Sequence, residues 1–145
     1  MDETETVALG MQLLWAGALM LALTLIHSLG LAGISRLLRL DPELLKKRSF
    51  DSQAWGLMSF LGALLFLLHF VEIFLFAIFY VLIGAIQGME EAVFFSASTY
   101  ATIGFTESFP ENWRLVGAFE GLIGFILIGW STAFIVNTMN RLREG

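Results

Sequence analysis

The chain has 145 residues, room for one domain; 57% of them are hydrophobic and only 14% charged, against about a quarter charged in a soluble domain. A mean hydropathy of +0.78 marks a chain built for lipid, and the lack of cysteine excludes a disulfide framework, a thiolate metal site and a cysteine nucleophile. The net charge of −5 says less than the places where the charges fall.

The chain opens on Asp2, Glu3 and Glu5, unlike the basic start of a secretory signal. Three apolar runs follow, at residues 7–34, 54–86 and 115–136. Each exceeds the roughly 20 residues that a membrane helix needs, and the second is long enough to tilt or protrude. The first link, residues 36–53, holds Arg36, Arg39, Lys46, Lys47 and Arg48. Within it, Asp41-Pro42-Glu43 predicts the start of a short helix at the membrane surface, with Leu44 and Leu45 dipping inward. Asp51-Ser52 offers a cap for the second span.

The second link has two halves. Residues 90–100 are apolar and predict a helix of about 16 Å, half a membrane rather than a span. Residues 101–110 hold Gly, Thr, Phe and Pro and predict extended or turning backbone. Irregular backbone at membrane depth is tolerated only inside protein or beside water. The link is therefore expected to line a pore or to lie inside an assembly. Seven of the eight Lys and Arg lie in the first link or, as Arg141 and Arg143, in the C-terminal tail. The positive-inside rule places both in the cytoplasm and the N-terminus and second link outside. Asp2, Glu3, Glu5, Glu90, Glu91, Glu107 and Glu111 then face out together.

Residues 92–107, Ala-Val-Phe-Phe-Ser-Ala-Ser-Thr-Tyr-Ala-Thr-Ile-Gly-Phe-Thr-Glu, with Pro110 shortly after, resemble the pore loop of potassium channels. That family reads Thr-Val-Gly-Tyr-Gly-Asp and then Pro. The resemblance implies a filter at Thr102, Ile103, Gly104, Phe105 and Thr106. Backbone carbonyls of Thr102 to Phe105 would replace the hydration shell of K⁺, with the Thr102 hydroxyl as the innermost ring. It implies supporting roles for Ser96 and Thr99 and an outer-mouth role for Glu107; Ser98, on the same short helix, is expected to support the filter with them. Trp113-Arg114 resembles the start of the inner helix, and Gly124 falls at the family's hinge position. Small bacterial potassium-channel-like proteins are similar, including a Gly-Trp-Ser-Thr-Ala stretch at residues 129–133 here. The first span lies outside that two-span pattern.

The three apolar runs and the resemblance together give an all-α membrane protein of three spans with a re-entrant pore helix and filter. Residues 1–53 form an extra span and basic link. Residues 54–145 form the pore domain, with outer helix 54–86, pore helix 90–100, filter 102–106 and inner helix 114–139. One loop cannot encircle an ion, so a homotetramer is expected. Its partners are further copies of itself, the bilayer and monovalent cations, with no nucleic acid. No cofactor is expected beyond K⁺ in the filter, and the location is a bacterial inner membrane. Gly104 permits the positive φ that turns carbonyls toward one axis. The C-terminal end of the pore helix, near Thr99, carries partial negative charge that favours a cation. Thr106 departs from the family, since a β-branched residue resists positive φ at about 1–3 kcal/mol. A remodelled outermost ring is expected, which leaves a weakly selective Na⁺/K⁺/Ca²⁺ channel as an alternative. A non-conducting accessory subunit is another.

Other polar residues invite two readings each. Glu120 sits inside the third span, where an acid costs about 2.5–3.5 kcal/mol. It is expected to brace the pore helix against Ser96 or Ser98, with a proton-sensitive gate as the alternative. His69 and Glu72 share a helix face and are expected to form a polar knot with each other or with Glu120. A metal site needs more ligands than this pair supplies. His27, beside Ser28, is expected to make a helix-packing hydrogen bond. Gly117 and Gly121 suit tight packing. Ile128, Thr132 and Val136 share a stripe below Gly124 that is expected to face the pore, while Trp130 faces helices or lipid. No nucleophile elbow, phosphate loop or metal-ligand cluster supports an enzyme.

Overall fold

A computed structural model of the chain describes residues 3–41, 52–104 and 111–143. Helix α1 runs Glu3–Leu37, α2 Ser52–Leu82, α3 Met89–Tyr100 and α4 Arg114–Arg143, with a 3-10 turn at Glu111–Trp113. The long helices have 35, 31 and 30 residues, so each measures roughly 45 Å or more at 1.5 Å per residue. That exceeds the ~30 Å hydrocarbon core of a bilayer. Leu9–Leu37, Ala54–Leu82 and Arg114–Arg143 are long and apolar enough to cross it. This is an all-helical integral membrane protein. Helix α3 has 12 residues and spans about half that thickness. The surface helix expected from Asp41-Pro42-Glu43 lies largely outside the described residues.

Hydropathy does not mark where the helices stop; backbone chemistry does. The second apolar run continues to Ile86, yet α2 ends at Leu82. Gly84 takes a left-handed φ of 68°, and the Ala85 N–H returns to the Tyr80 carbonyl at 2.9 Å. This is the Schellman closure that satisfies orphan helix carbonyls. Helix α1 closes likewise. Arg39 has φ 51°, Leu40 N–H donates to Ser35 O at 2.9 Å, and Leu40 buries against Leu31 and Ile34.

Helix α3 lies against both α2 and α4, and α1 lies against α4 and α2. One apolar cluster joins all four helices through Leu23, Phe76, Tyr80, Phe95, Tyr100, Ile123 and Leu127. A second, with Leu31, Leu61, Leu65 and Leu142, ties the other ends of the long helices. The half-length helix is thus held inside protein on two sides, the condition that irregular backbone after it requires.

Candidate functional site

The turn after α3 is built by its own N–H groups. Thr102 N–H donates to Thr99 O at 2.9 Å, Ile103 N–H to Ser98 O at 2.9 Å and Gly104 N–H to Ser98 O at 3.3 Å. No cis peptide occurs among the described residues, and in a trans peptide plane the C=O points opposite to the N–H. Three consecutive N–H groups aim back at the helix end. The carbonyls of Ala101, Thr102 and Ile103 therefore all leave on the other side, away from α3. An ordinary extended strand would alternate them. The left-handed φ of 58° at Thr102 makes this possible, and the left-handed φ of 68° at Gly104 turns the chain after these three peptide planes. At Gly104 that costs little; at β-branched Thr102 it is an outlier. Strain of this kind, about 1–3 kcal/mol, persists only where the surroundings impose it.

The surroundings do so through Tyr100. Its ring is buried, and its hydroxyl donates to Glu72 Oε2 at 2.6 Å. His69 Nδ1 lies 2.9 Å from the same hydroxyl and 3.1 Å from Glu72 Oε2. On the opposite side the Tyr100 backbone rests on Gly124 of α4, where a Cβ would collide with the Tyr100 carbonyl. The last residue of α3 is thus fixed by a side chain on α2 and by a bare backbone on α4. Helix α1 joins in, with His27 Nδ1 2.9 Å from Glu72 Oε1.

A second polar knot braces the middle of α3. Glu120 of α4 is fully buried. It accepts from the Tyr80 hydroxyl at 2.7 Å and from Ser96 Oγ, which also reaches the Ile73 carbonyl. Among the described residues no buried side-chain polar atom lacks a partner. Unpaired, each carboxylate would be prohibitive at this depth; paired, each fastens α3 to a span.

Of the other residues singled out in the sequence, Ser98 and Thr99 are buried at the end of α3, and Ile128, Thr132 and Val136 lie on the exposed side of α4. Thr132 turns its hydroxyl back to the Ile128 carbonyl at 2.8 Å. Phe105, Thr106, Glu107 and Pro110 lie outside the described residues. Trp130 sits beside the His27 ring, centroids 5.4 Å apart. Ala101 to Gly104 are exposed, with Ile103 at 66%. In a helix end otherwise buried, that open edge is where the carbonyls emerge.

A protein-family profile described as an ion channel matches residues 67–141, just over half of the chain. This chain belongs to the ion channel family. The matched stretch of the channel takes in the second half of α2, all of α3, its turn and nearly all of α4, and it leaves out α1. No curated protein and no solved structure matches the channel. Its family is one of ion transport through membranes, not of enzymes.

The sequence reading did not single out Tyr100, Tyr80 or the reach of His27. A signal was present. The chain has two tyrosines and one carboxylate in each of α2 and α4. A buried tyrosine hydroxyl needs a partner, and so does an acid inside a span. The pairing is crosswise, Tyr100 with Glu72 and Tyr80 with Glu120, and helix periodicity within one span does not reveal it.

Proposed function

We propose that four copies of this chain surround a common axis and conduct K⁺ passively, each giving the segment from Thr102 to Thr106 to one filter. The observation that supports this best is the one-sided carbonyl edge at residues 101–103. A fourfold ring of such edges offers stacked oxygen rings of the kind that replace the hydration shell of K⁺. The negative end of the α3 dipole lies behind that edge and favours a cation. Ile128, Thr132 and Val136 would line the passage below it. The basic link and tail would face the cytoplasm of a bacterial inner membrane, with the N-terminus outside. A less selective pore passing Na⁺ with K⁺ is a second reading, favoured by Thr106 where the potassium-channel pattern has glycine.

Purified protein in planar bilayers under opposed K⁺ and Na⁺ gradients tests both. A reversal potential near the K⁺ equilibrium value is expected. Equal permeability would sink K⁺ selectivity and leave the second reading. Background flux from complexes whose mass equals four chains of 16.1 kDa would sink conduction altogether and point to an accessory subunit.

A further inference from the structure

The cluster around Glu72 has more ligands than the sequence offered. The three donors come from two spans: His27 from α1, His69 and Glu72 one turn apart on α2. Their ligand atoms all lie within 4.8 Å of one another. We propose that His27, His69 and Glu72 form a binding site for a divalent transition-metal ion of the zinc class, clamping the first span to the residue that fixes the end of the pore helix. This is independent of which ion the channel conducts.

Geometry supports it first. Around a four-coordinate ion with bonds of about 2.0–2.1 Å, neighbouring ligand atoms stand roughly 3.3 Å apart. His27 Nδ1 and His69 Nδ1 lie 2.9 and 3.1 Å from the two Glu72 oxygens, so a small inward or outward adjustment admits the ion. The Tyr100 hydroxyl, near both His69 and Glu72, adds an oxygen at a fourth position. Outer partners are in place as well. Ser131 Oγ is 3.4 Å from His27 Nε2, the contact that holds an imidazole with its proton on Nε2 and its Nδ1 lone pair free.

Charge supports it next. Glu72 is fully buried in the middle of an apolar span. Among the described residues its ion-pair partners are two histidines and no lysine or arginine. With both imidazoles in the neutral form that a metal ion binds, the carboxylate's negative charge has no compensating cation at membrane depth. When a divalent cation enters, the proton that bridges each Nδ1 to the carboxylate moves to Nε2 of the same ring, a tautomer that Ser131 Oγ is placed to hold at His27. The cluster then goes from one negative to one positive charge, with the Nδ1 lone pairs directed at the ion. Two imidazole nitrogens with one carboxylate suit zinc, cobalt or nickel, whereas calcium and magnesium take all-oxygen shells. The His69 side chain is 17% exposed at the surface of the single chain, whereas Glu72 is fully covered.

The test uses the full-length protein in detergent, stripped with chelator and then exposed to Zn²⁺ or Co²⁺. Expected are about one retained zinc per chain, visible Co²⁺ absorption bands of a low-symmetry nitrogen–oxygen site, and a higher unfolding temperature with Zn²⁺. His27→Gln and His69→Gln keep an amide to hydrogen-bond Glu72 but remove the metal ligand. Each should weaken Zn²⁺ binding at least about tenfold while unfolding near the wild-type temperature without metal. Wild type that retains no more zinc than His69→Gln, or variants that bind as tightly as wild type, would overturn the proposal. Should a variant fail to fold, X-ray absorption on the zinc-loaded wild type decides: scattering from two imidazoles supports the site, and its absence overturns it.

Discussion

Replacing Gly124 with alanine puts a methyl group against the Tyr100 backbone. The new Cβ would meet the Tyr100 carbonyl oxygen most closely, with the carbonyl carbon and Cγ each at 2.9 Å. Ordinary carbon contacts begin near 3.5 Å, so α4 and the end of α3 must separate by at least about 0.6 Å. The neighbour is backbone and cannot rotate away. Overpacking of this kind costs about 1–3 kcal/mol, here at the upper end, while alanine regains about 1 kcal/mol of helix propensity. The net expectation is a loss of about 2 kcal/mol. Gly129, on the same helix, has nothing within 4 Å of its Cβ position, so Gly129→Ala should gain about 1 kcal/mol from propensity alone. Gly121, whose Cβ would meet Thr99 O at 3.2 Å, should fall between. Reversible unfolding in mixed micelles, followed by tryptophan fluorescence, measures the series. A gap of about 3 kcal/mol between the Gly124 and Gly129 variants is expected from these two terms. If Gly124→Ala unfolds like Gly129→Ala yet changes channel opening, the glycine is a hinge and the close-approach reasoning is wrong.

Tyr100→Phe removes the hydroxyl that donates to Glu72 at 2.6 Å and should cost about 1.5–3 kcal/mol, the range for a hydrogen bond to a charged group; unchanged unfolding would show that Glu72 does not depend on it. Tyr80→Phe should cost a similar amount through Glu120, and the two losses should add to within about 0.5 kcal/mol, because Glu72 and Glu120 share no hydrogen-bond partner. Thr102→Ser keeps the hydroxyl and should keep K⁺ flux near wild type, whereas Thr102→Gly should relieve about 1 kcal/mol of left-handed strain and lower flux; equal flux in the two would remove the hydroxyl from the filter. Because the chain has no cysteine, Asp2→Cys and Gly145→Cys give single labels, and a membrane-impermeant maleimide should modify only the first in intact cells.

The sequence by itself determined the membrane class, the three spans and the half-length helix, because hydrophobic length against bilayer thickness is a local property of the chain. It also located the turn, since a threonine-isoleucine-glycine-phenylalanine run after a short apolar helix permits few other readings at membrane depth. Glu120 was expected to brace the pore helix, and its partner Ser96 was one of two serines named for it. Where helices end was not legible: Gly84, Arg39 and Thr102 close them by left-handed φ, and nothing in composition marks an arginine or a threonine for that role. The strain expected at Thr106 lies outside the described residues; among the described residues Thr102 takes a left-handed φ of 58°, because closing the helix end on Ser98 fixes the backbone there. The supports of the turn were decided by tertiary structure alone. His27 lies 45 residues from Glu72 and Tyr100 lies 24 from Gly124, and both contacts depend on how α1 and α4 are set against α2 and α3. Periodicity reports which face of a helix is polar. It carries no information about which other helix will meet that face, and that meeting turns two histidines and an acid into one cluster.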